Sequence, residues 1–557
     1  MDDYMKKMIE SMKTQYEKVL PVVTEKIART EEWIAAPDGA KLKTIIVKPV
    51  DLKGPFSTIV QRTCYPHQEP FLAAQAEELA KRGFAAVYQW CRGIGESEGE
   101  WQPYVHERED GLPFLEWLQV QEWVKNMGFI GASYLALTGW NLADIAPAKM
   151  KTMYLTVLGT ETHHEMWQEG SFRQDIFTSW TMDTLEHPVD ADYLTCAKYH
   201  PQVEVDEAMW NCRLDWYRDE ISKPSRLDPF WTESHWNTLQ QIPPKIKMPV
   251  FVGEGWYDIH LGNSLKTFEK LSAESRLHSV LQVNPGNHGL EPVIYGQKEQ
   301  AHAAIEEHRQ QIQWFKDILM DEKMPQPGVK LYLIGADEWR TYDSYPSKTD
   351  QKKELFLNRE KLSEAPEEET YRSYAYDPEN PVMSHGGATL FKLQNEVGSL
   401  EQPGVNWRPD VLSYVSDPVK ENIDIIGKIQ ADLWVESDAK DTCFTIKVME
   451  EFPDGKTYNI RNGITTLGYR NDADTYQKYD GGPVKITITC WDVAWRVKKG
   501  SRIRVDISSS NFPEYSVHPN TETVWSKAEK YRVAHQTVLA GEKYPSKLIL
   551  PVDTQGE

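Results

Sequence analysis

The stretch Gly131-Ala132-Ser133-Tyr134-Leu135 decides the fold, because it sets one serine between a buried strand and a helix. Residues 124–130, which precede it, are apolar enough for a fully buried strand. Residues 134–143, which follow, are rich in leucine and alanine and favour a helix. Small neighbours let the backbone bend sharply, and such a bend lifts a serine hydroxyl to the carboxyl edge of a sheet. The stretch predicts a nucleophile elbow with Ser133 at its tip.

The fifth position of this stretch departs from the usual elbow pattern. Leu135 stands where G-x-S-x-G has its second glycine, so the motif is incomplete. An ordinary strand-to-helix turn, in which Ser133 only caps the helix, is the alternative interpretation. The choice between a catalytic elbow and a structural turn therefore depends on residues elsewhere in the chain.

Strands alternate with helices on both sides of the elbow. We predict strands at residues 42–47, 58–61, 84–89, 153–158, 249–253, 278–283 and 329–334, and helices at 71–82, 107–118, 263–271 and 297–319. The first twenty residues carry apolar side chains at helical spacing and predict an amphipathic helix packed on a domain or on a partner. The alternative is a helix on a membrane surface, which the mixed charges of its polar face disfavour. This alternation implies parallel strands joined by crossover helices, which is the α/β class.

Two further regions differ from this pattern. Residues 159–244 have little strand signal and many aromatic residues among polar ones, which predicts a helical cap inserted over the catalytic face. From about residue 352 onward, apolar and polar residues alternate in short runs separated by turn residues, as in a β-sandwich. We therefore predict an α/β-hydrolase domain formed by residues 1–158 and 245–348, a cap at 159–244, and a C-terminal β-sandwich at 349–557.

Composition excludes several function classes. The chain has 557 residues and a net charge of -22 at pH 7, which argues against nucleic acid as a partner. It has no apolar run of the ~18 residues that would span a bilayer, and its charged first twenty residues do not resemble a signal peptide. We expect a cytoplasmic location. Six cysteines without a C-x-x-C pair indicate buried thiols, and neither a metal nor a cofactor is expected. The oligomeric state stays open.

A serine nucleophile needs a base, and the base needs a carboxylate to orient it. In an α/β-hydrolase these partners come later in the chain, first the acid and then the histidine, each in a loop after a strand. Asp258 follows the strand at 249–253, and His288 follows the strand at 278–283. His260 shares a loop with Asp258, so His288 is the better candidate for the base.

The tetrahedral intermediate of such a reaction also needs hydrogen-bond donors for its oxyanion. The main-chain amide of Tyr134 is one candidate, because it directly follows the serine. The hydroxyl of Tyr65, in the loop after an early strand, is the other candidate. The alternative for Tyr65 is a tyrosine packed beside the turn at Pro66.

Aromatic residues of the predicted cap are candidates for a substrate pocket, since pockets are mostly apolar. We select Trp167, Phe172, Trp180 and Trp231. The alternative is that they fill the core of the cap itself.

Several motifs spread over nearly the whole chain match one family. They are Arg62-Thr63-Cys64-Tyr65-Pro66, Arg92-Gly93-Ile94-Gly95-Glu96-Ser97, Glu107-Arg108-Glu109-Asp110-Gly111, Gly131-Ala132-Ser133-Tyr134, Asp228-Pro229-Phe230-Trp231, Gly255-Trp256-Tyr257-Asp258, Arg408-Pro409-Asp410 and Arg504-Val505-Asp506-Ile507-Ser508-Ser509-Ser510-Asn511-Phe512-Pro513. With these motifs the sequence resembles the bacterial cocaine esterase family of CocE/NonD hydrolases. Relatives of that family include α-amino acid ester hydrolases and Xaa-Pro dipeptidyl-peptidases.

The resemblance implies Ser133 as the nucleophile, Asp258 as the orienting acid and His288 as the base. It also implies an oxyanion hole made by Tyr65 and the Tyr134 amide, a helical cap and a C-terminal jelly roll. The family elbow commonly reads G-x-S-Y, which accounts for Leu135. The sequence departs from the usual family residues at three places: Trp90-Cys91, Ile259-His260 and Gly286-Asn287. Because such changes alter a substrate pocket, the family's substrates are not assigned to this chain.

The expected function is that of a serine hydrolase that cleaves a small-molecule ester, or an amide or short peptide, through an acyl-enzyme. An Xaa-Pro dipeptidyl-peptidase-like enzyme is the first alternative. It needs a carboxylate to pair with the substrate ammonium, and the cap offers Glu165, Glu169, Asp175 and Asp183. A non-catalytic protein that binds a carbohydrate or another ligand is an alternative of a different class.

Overall fold

The computed structural model describes residues 3–185, 189, 191–297, 300–345, 351–389, 396–472 and 474–554. Within these residues, ten strands form a largely parallel sheet in the order β1-β2-β4-β3-β5-β6-β9-β10-β11-β12. The strands, with the short cap ribbon β7 and β8, are β1 Ile27–Ala35, β2 Lys41–Pro49, β3 Phe56–Thr63, β4 Ala85–Trp90, β5 Val124–Ala132, β6 Met150–Thr156, β7 Trp167–Gln168, β8 Ser171–Phe172, β9 Val250–Gly255, β10 Val280–Asn284, β11 Gly328–Leu333 and β12 Glu338–Tyr342.

The centre of this sheet is buried on both faces, as a parallel sheet covered by helices requires. Every residue of β3 and β4 is buried, and β5 is buried at seven of its nine positions. Helices cover the sheet or form the insertion: α1 Asp3–Glu17, α2 Glu69–Lys81, α3 Glu107–Gln119, α4 Tyr134–Trp140, α5 Thr162–Met166, α6 Gln174–Thr184, α7 Tyr193–Ala197, α8 Val205–Met209, α9 Asp215–Glu220, α10 Pro229–Thr232, α11 His235–Gln240, α12 Leu261–Lys270, α13 Ala273–Arg276 and α14 Glu307–Phe315. The predicted α/β pattern is confirmed.

The predicted amphipathic helix at the start of the chain is α1, which packs on α2 and α14. Met12 and Tyr16 on its apolar face are almost completely buried. The Tyr16 hydroxyl donates a hydrogen bond of 3.0 Å to Gln311 Oε1 on α14. No helix in the described parts of the chain combines the length and apolarity needed to cross a bilayer.

The predicted helix at 297–319 is wrong in its first part. The structure begins α14 only at Glu307, and residues 298 and 299 lie outside the described residues. The amides of Ala301 and His302 donate to the carboxylate of Asp337, at 3.1 and 3.0 Å. Because a side chain from another segment binds these amides, they do not enter a helical hydrogen-bond ladder. Asp337 also precedes β12, an edge strand that the sequence pattern did not predict.

The predicted helical insertion contains α5 to α11, which have only four to eleven residues each. Helices this short are not stable alone, so packing has to hold them. Aromatic pairs do so, with ring centroids 5.7 Å apart for Trp231 and Trp236 and 5.2 Å apart for Trp210 and Tyr217.

The last part of the chain is rich in strands, as predicted. Its strands are β13 Gln351–Asn358, β14 Lys361–Ser363, β15 Thr370–Tyr376, β16 Leu412–Ser416, β17 Ile423–Ser437, β18 Cys443–Glu451, β19 Thr457–Thr466, β20 Val484–Val497, β21 Arg502–Ser508, β22 Ala534–Ala540 and β23 Lys547–Val552. Two backbone hydrogen bonds join it to the first sheet: Ile334 donates to Ala494 at 3.0 Å, and Arg496 donates to Ile334 at 2.7 Å. The fold is α/β-hydrolase-like with a C-terminal β-rich domain. The exact domain boundaries stay predictions.

Candidate active site

Ser133 lies at a strained turn between β5 and α4. Its φ is 56° and its ψ is -129°, a backbone conformation that non-glycine residues rarely adopt. Its carbonyl accepts the amides of Ala136 and Leu137 at 2.8 and 3.1 Å, so the helix begins immediately. A side chain at Gly131 would place a Cβ 2.3 Å from the carbonyl oxygen of Leu135. The turn therefore requires glycine at 131, and strain of this kind is typical of functional sites.

Backbone hydrogen bonds tie the elbow to the neighbouring strand ends. The amide of Ser133 donates to Thr156 O at 3.0 Å, and the amide of Val157 donates to Gly253 O at 2.9 Å. Since β5, β6 and β9 are parallel neighbours, these bonds bring the ends of all three to one edge of the sheet. The loop that carries Asp258 begins at this same edge.

The loops after β9 and β10 interlock. The amides of Trp256 and Tyr257 donate to the carbonyls of Asn284 and Gly286, at 2.8 and 2.9 Å. The two loops approach so closely that a Cβ at Gly255 would lie 2.4 Å from Gly286 O. Their side chains consequently meet within a small volume.

Asp258 and His288 are brought together by these loops. His288 Nδ1 lies 2.7 Å from Asp258 Oδ2, which is hydrogen-bond distance. The other carboxylate oxygen, Oδ1, accepts the main-chain amide of His260 at 2.6 Å. Asp258 is completely buried, whereas the His288 side chain keeps 16% of its surface exposed. A histidine held at Nδ1 presents its Nε2 for proton transfer.

Tyr65 lies beside Ser133 and the cap. Its hydroxyl accepts a hydrogen bond of 3.1 Å from Trp180 Nε1. Burial raises the pKa of Tyr65 well above its ordinary value, and hydrogen bonds with Trp180 and Ser133 only partly offset this. The phenol therefore keeps its proton and can donate it to an oxyanion.

Tyr134 contributes differently through its two ends. Its main-chain amide belongs to the first turn of α4, where helix amides lack intrahelical partners. Its hydroxyl accepts the amide of Tyr104 at 2.8 Å and donates to Glu107 Oε1 at 2.9 Å. Glu107 also forms a buried ion pair of 2.7 Å with Arg62. These hydrogen bonds fix the position of the Tyr134 ring, and the sequence indicated Arg62, Glu107 and Tyr134 only as members of three family motifs.

The four predicted pocket aromatics lie in three places. Trp180 stacks on Tyr134, with ring centroids 5.8 Å apart, so it borders the elbow. Trp231 packs within the cap against Trp236. Trp167 contacts Phe172, which stacks at 5.4 Å on Trp525 of the β-rich domain. Of the four, Trp180 is the one that contacts the elbow residues directly.

Aromatic residues outside the prediction complete the surroundings of Trp180. Trp101 and Tyr104 lie 5.9 and 5.7 Å from its ring, and Trp236 lies 4.8 Å from Tyr104. Trp101 and Tyr104 belong to a loop before α3 that has no strong sequence pattern. Their place beside the elbow is recognised only from the folded structure, in which they pack against Trp180.

Sequence analysis also missed Glu220, a carboxyl group at the end of α9 that is 3% exposed. Burial raises its pKa well above the ordinary value. The pKa of Tyr104 is raised first by burial and then by Glu220 and Glu165, so both carboxyl groups lie near the aromatic cluster.

A second histidine–carboxylate pair lies next to Asp258 and His288. His260 Nδ1 forms an ion pair with Glu165 Oε1, and both side chains are buried. Burial lowers the pKa of His260, but Glu165 and Asp258 outweigh it, and the net effect is a raised pKa. The sequence indicated this pair only as the unusual Ile259-His260 dipeptide.

Asp258, His260 and His288 each offer one ligand atom, and these atoms lie within 4.8 Å of one another. The Asp258 and His288 atoms that face each other are 2.7 Å apart, too close for two ligands about 2 Å from one zinc ion in a tetrahedral site. His260 in turn pairs with Glu165. The arrangement fits acid–base chemistry better than metal binding.

Serine hydrolases of the α/β-hydrolase fold hold their reacting residues at the positions described here, in loops after parallel strands. Two family models match consecutive parts of the chain. The X-Pro dipeptidyl-peptidase (S15 family) model matches residues 38–290, and the X-Pro dipeptidyl-peptidase C-terminal non-catalytic domain model matches residues 322–549. These matches support a serine hydrolase enzyme, and the chain is similar to hydrolases of the S15 and cocaine esterase type.

Similar proteins support this classification. The cocaine esterase of Rhodococcus sp. (strain MB1 Bresler) is 26% identical over 561 residues, which cover 92% of this chain and 96% of the relative. Among solved structures, an aminopeptidase from a marine sediment archaeon, Thaumarchaeota archaeon, has a TM-score of 0.81 at 21% identity, covering 95% of this chain and 96% of that one. An α-amino acid ester hydrolase also has a TM-score of 0.81, at 20% identity, covering 95% of this chain and 97% of that one. The solved structures share the fold, and the S15 family model with the cocaine esterase relative supports an enzyme over the ligand-binding alternative.

The elbow geometry yields a prediction for Gly131→Ala. The added methyl group cannot fit beside Leu135 O, so we expect the free energy of unfolding to fall by about 3 kcal/mol and hydrolysis to fall with it. Gly328→Ala is the matched control, because no heavy atom lies within 4 Å of its added Cβ. Urea denaturation of both variants measures the difference, and equal stability would contradict the described elbow.

Proposed function

We propose that this chain hydrolyses a carboxylic ester through an acyl-enzyme, with Ser133 as nucleophile, His288 as base and Asp258 as the orienting acid. The observation that carries the proposal is the 2.7 Å contact between His288 Nδ1 and the buried Asp258 carboxylate. A buried carboxylate in this position fixes the histidine tautomer and stabilises its charged form. The strained conformation of Ser133 at the strand-to-helix turn supports the assignment of the nucleophile.

In the proposed reaction, Ser133 Oγ attacks the ester carbonyl carbon while its proton passes to His288 Nε2. The carbonyl π electrons move onto oxygen, which gives a tetrahedral oxyanion. Collapse of this intermediate breaks the bond to the alcohol oxygen, and His288 returns the proton to the leaving alcohol. Water then attacks the acyl-enzyme by the same steps and releases the acid.

The oxyanion in this proposal is stabilised by the Tyr65 hydroxyl and the Tyr134 amide. Tyr65 is suited to this role because it remains protonated and lies next to Ser133. Trp180 donates to the same hydroxyl, so the Tyr65 oxygen is the acceptor in that bond and its own proton is left for the oxyanion. Preorganised donors of this kind are often the largest single contribution to catalysis.

An ester substrate is favoured over a peptide with a free amino terminus because two of the predicted ammonium partners are already engaged. Glu165 pairs with His260, and Asp175 forms a 3.3 Å ion pair with Arg173. A buried ammonium group would then lack a free counter-ion from either of them.

The other two predicted partners lie in unsuitable places. Asp183 is exposed at the end of α6. Glu169 sits at the contact with the β-rich domain, where its carbonyl accepts the amide of Thr466 at 3.0 Å. The proposed substrate is therefore a small-molecule ester with an apolar acyl group that fits the aromatic residues around Trp180.

The first prediction from this proposal concerns the nucleophile. Ser133→Ala should lower kcat/KM for p-nitrophenyl acetate by about 1000-fold or more, because the reacting oxygen is gone. His288→Ala should cause a loss of similar order, whereas Ser57→Ala, a buried serine on β3, is the control and should retain activity. An unchanged rate in the Ser133 variant would end the assignment.

The second prediction concerns the oxyanion donor. Tyr65→Phe removes only the hydroxyl, and we expect kcat to fall about 100-fold, as for loss of one oxyanion donor. Tyr295→Phe, at a tyrosine that is 62% exposed, should leave kcat unchanged. Stopped assays with p-nitrophenyl acetate measure both, and a Tyr65→Phe enzyme with normal kcat would exclude this role.

The third prediction separates the substrate classes. We expect kcat/KM for p-nitrophenyl acetate to exceed that for Gly-Pro-p-nitroanilide by about 100-fold or more, because burying the ammonium group of the anilide without a paired carboxylate is costly. Faster cleavage of the anilide would contradict the ester proposal. It would also direct attention to Glu220 as the group that holds the ammonium.

A further inference from the structure

We propose that Glu165 and His260 act as a charge-balanced positioning pair that sets the pH range in which His288 works as the base. The inference rests on the proposed function, since it assigns His288 that role. His260 is a positioning residue here, because it acts through Asp258 and His288 and not on the substrate.

The pair links two parts of the chain at the triad. Glu165 lies on α5 of the insertion, and His260 lies in the loop between β9 and α12. Their side chains form an ion pair and are 3% and 6% exposed. The side-chain Nδ2 of Asn263 donates to Glu165 Oε2, so both oxygens of the carboxylate have a partner.

His260 contacts both members of the Asp258–His288 pair. Its main-chain amide donates to Asp258 Oδ1 at 2.6 Å, and its ring centroid lies 5.1 Å from that of His288. At this distance a charge on one imidazole changes the proton affinity of the other, because burial leaves little water between them.

The surroundings favour a charged His260 that Glu165 neutralises. Burial alone would lower the pKa of His260, but Glu165 and Asp258 raise it, and Arg173 opposes them only weakly. Arg173 is itself paired with Asp175.

Glu254 is the remaining carboxyl group that faces this cluster. Burial, followed by the charge of Asp258, raises its pKa well above the ordinary value, and its two oxygens accept hydrogen bonds from Ser264 Oγ and from the main-chain amide of Gly255. In the proposal, the Glu165–His260 ion pair has no net charge, and Asp258 is the carboxylate in direct contact with His288.

Removal of the His260 ring should disturb this balance. His260→Gln keeps the main-chain amide that binds Asp258 but leaves the Glu165 carboxylate without its partner. A nearby uncompensated negative charge favours the protonated form of His288. The acid limb of the kcat/KM profile should then move to higher pH by about one unit.

Three variants and one control test the proposal with p-nitrophenyl acetate from pH 5 to 9. His260→Gln should shift the acid limb upward, and the double variant His260→Gln/Glu165→Gln should return it to within about 0.3 units of the wild type, since the pair is again neutral. Glu165→Gln alone should not shift the limb upward. His535→Gln removes an exposed histidine that pairs with Asp438 at 2.9 Å, and it should leave the profile unchanged.

A purely structural role for His260 would lower the rate at every pH without moving the limb, and that result would overturn the proposal. An upward shift that persists in the double variant would overturn it too. If His260→Gln does not fold, imidazole ¹⁵N chemical shifts of the wild-type protein provide the test. The His260 signal should be that of an imidazolium at pH 7, and a neutral imidazole would refute the inference. Loss of activity in Ser133→Ala and His288→Ala reports on the proposed function independently of these outcomes.

Discussion

The sharp turn at Ser133 is the constraint on which the rest of the site depends. A non-glycine residue with a φ of 56° is unfavourable, and such strain persists only where surrounding contacts over-determine it. Here the contacts come from the neighbouring strand and the following helix. The Ser133 amide donates a hydrogen bond to Thr156 O, and the Ser133 carbonyl accepts hydrogen bonds from amides of α4. The backbone at Gly131 packs so closely against Leu135 that the turn has no room for a side chain there. Buried strands therefore hold the hydroxyl in place, and the cap and β-rich domain are arranged around it.

The loop that carries Asp258 is supported from three sides. The loop after β10 binds it through Asn284 O and Gly286 O. The β-rich domain contacts it through Tyr257, whose hydroxyl donates to Asn459 O at 3.3 Å. The insertion reaches it through Glu165, which holds the ring of His260. This convergence explains how a domain without a proposed reacting residue still contributes to the geometry of the acid.

Local sequence patterns were sufficient to predict the parallel sheet, the elbow and the loops of Asp258 and His288, since each depends on hydrophobic periodicity and chain order. Contacts between distant segments could not be predicted in this way. The sequence offers Glu165 as a partner for a substrate ammonium, but in the folded chain Glu165 forms an ion pair with His260. The helix predicted from residue 297 fails because Asp337, from a different segment, binds the amides of Ala301 and His302. Similarly, the sequence does not distinguish Trp180, which contacts the elbow, from Trp167, which packs on Phe172 near the β-rich domain.

The central claim is that Ser133 is an activated nucleophile, and covalent labelling tests it most directly. The folded protein is incubated with a fluorophosphonate at pH 8, digested and mapped by mass spectrometry. We expect a single phosphonylated residue, Ser133, with labelling abolished in the Ser133→Ala variant and strongly slowed in Asp258→Asn. An active preparation that hydrolyses esters while Ser133 remains unlabelled, or that is labelled at another serine, would contradict the account.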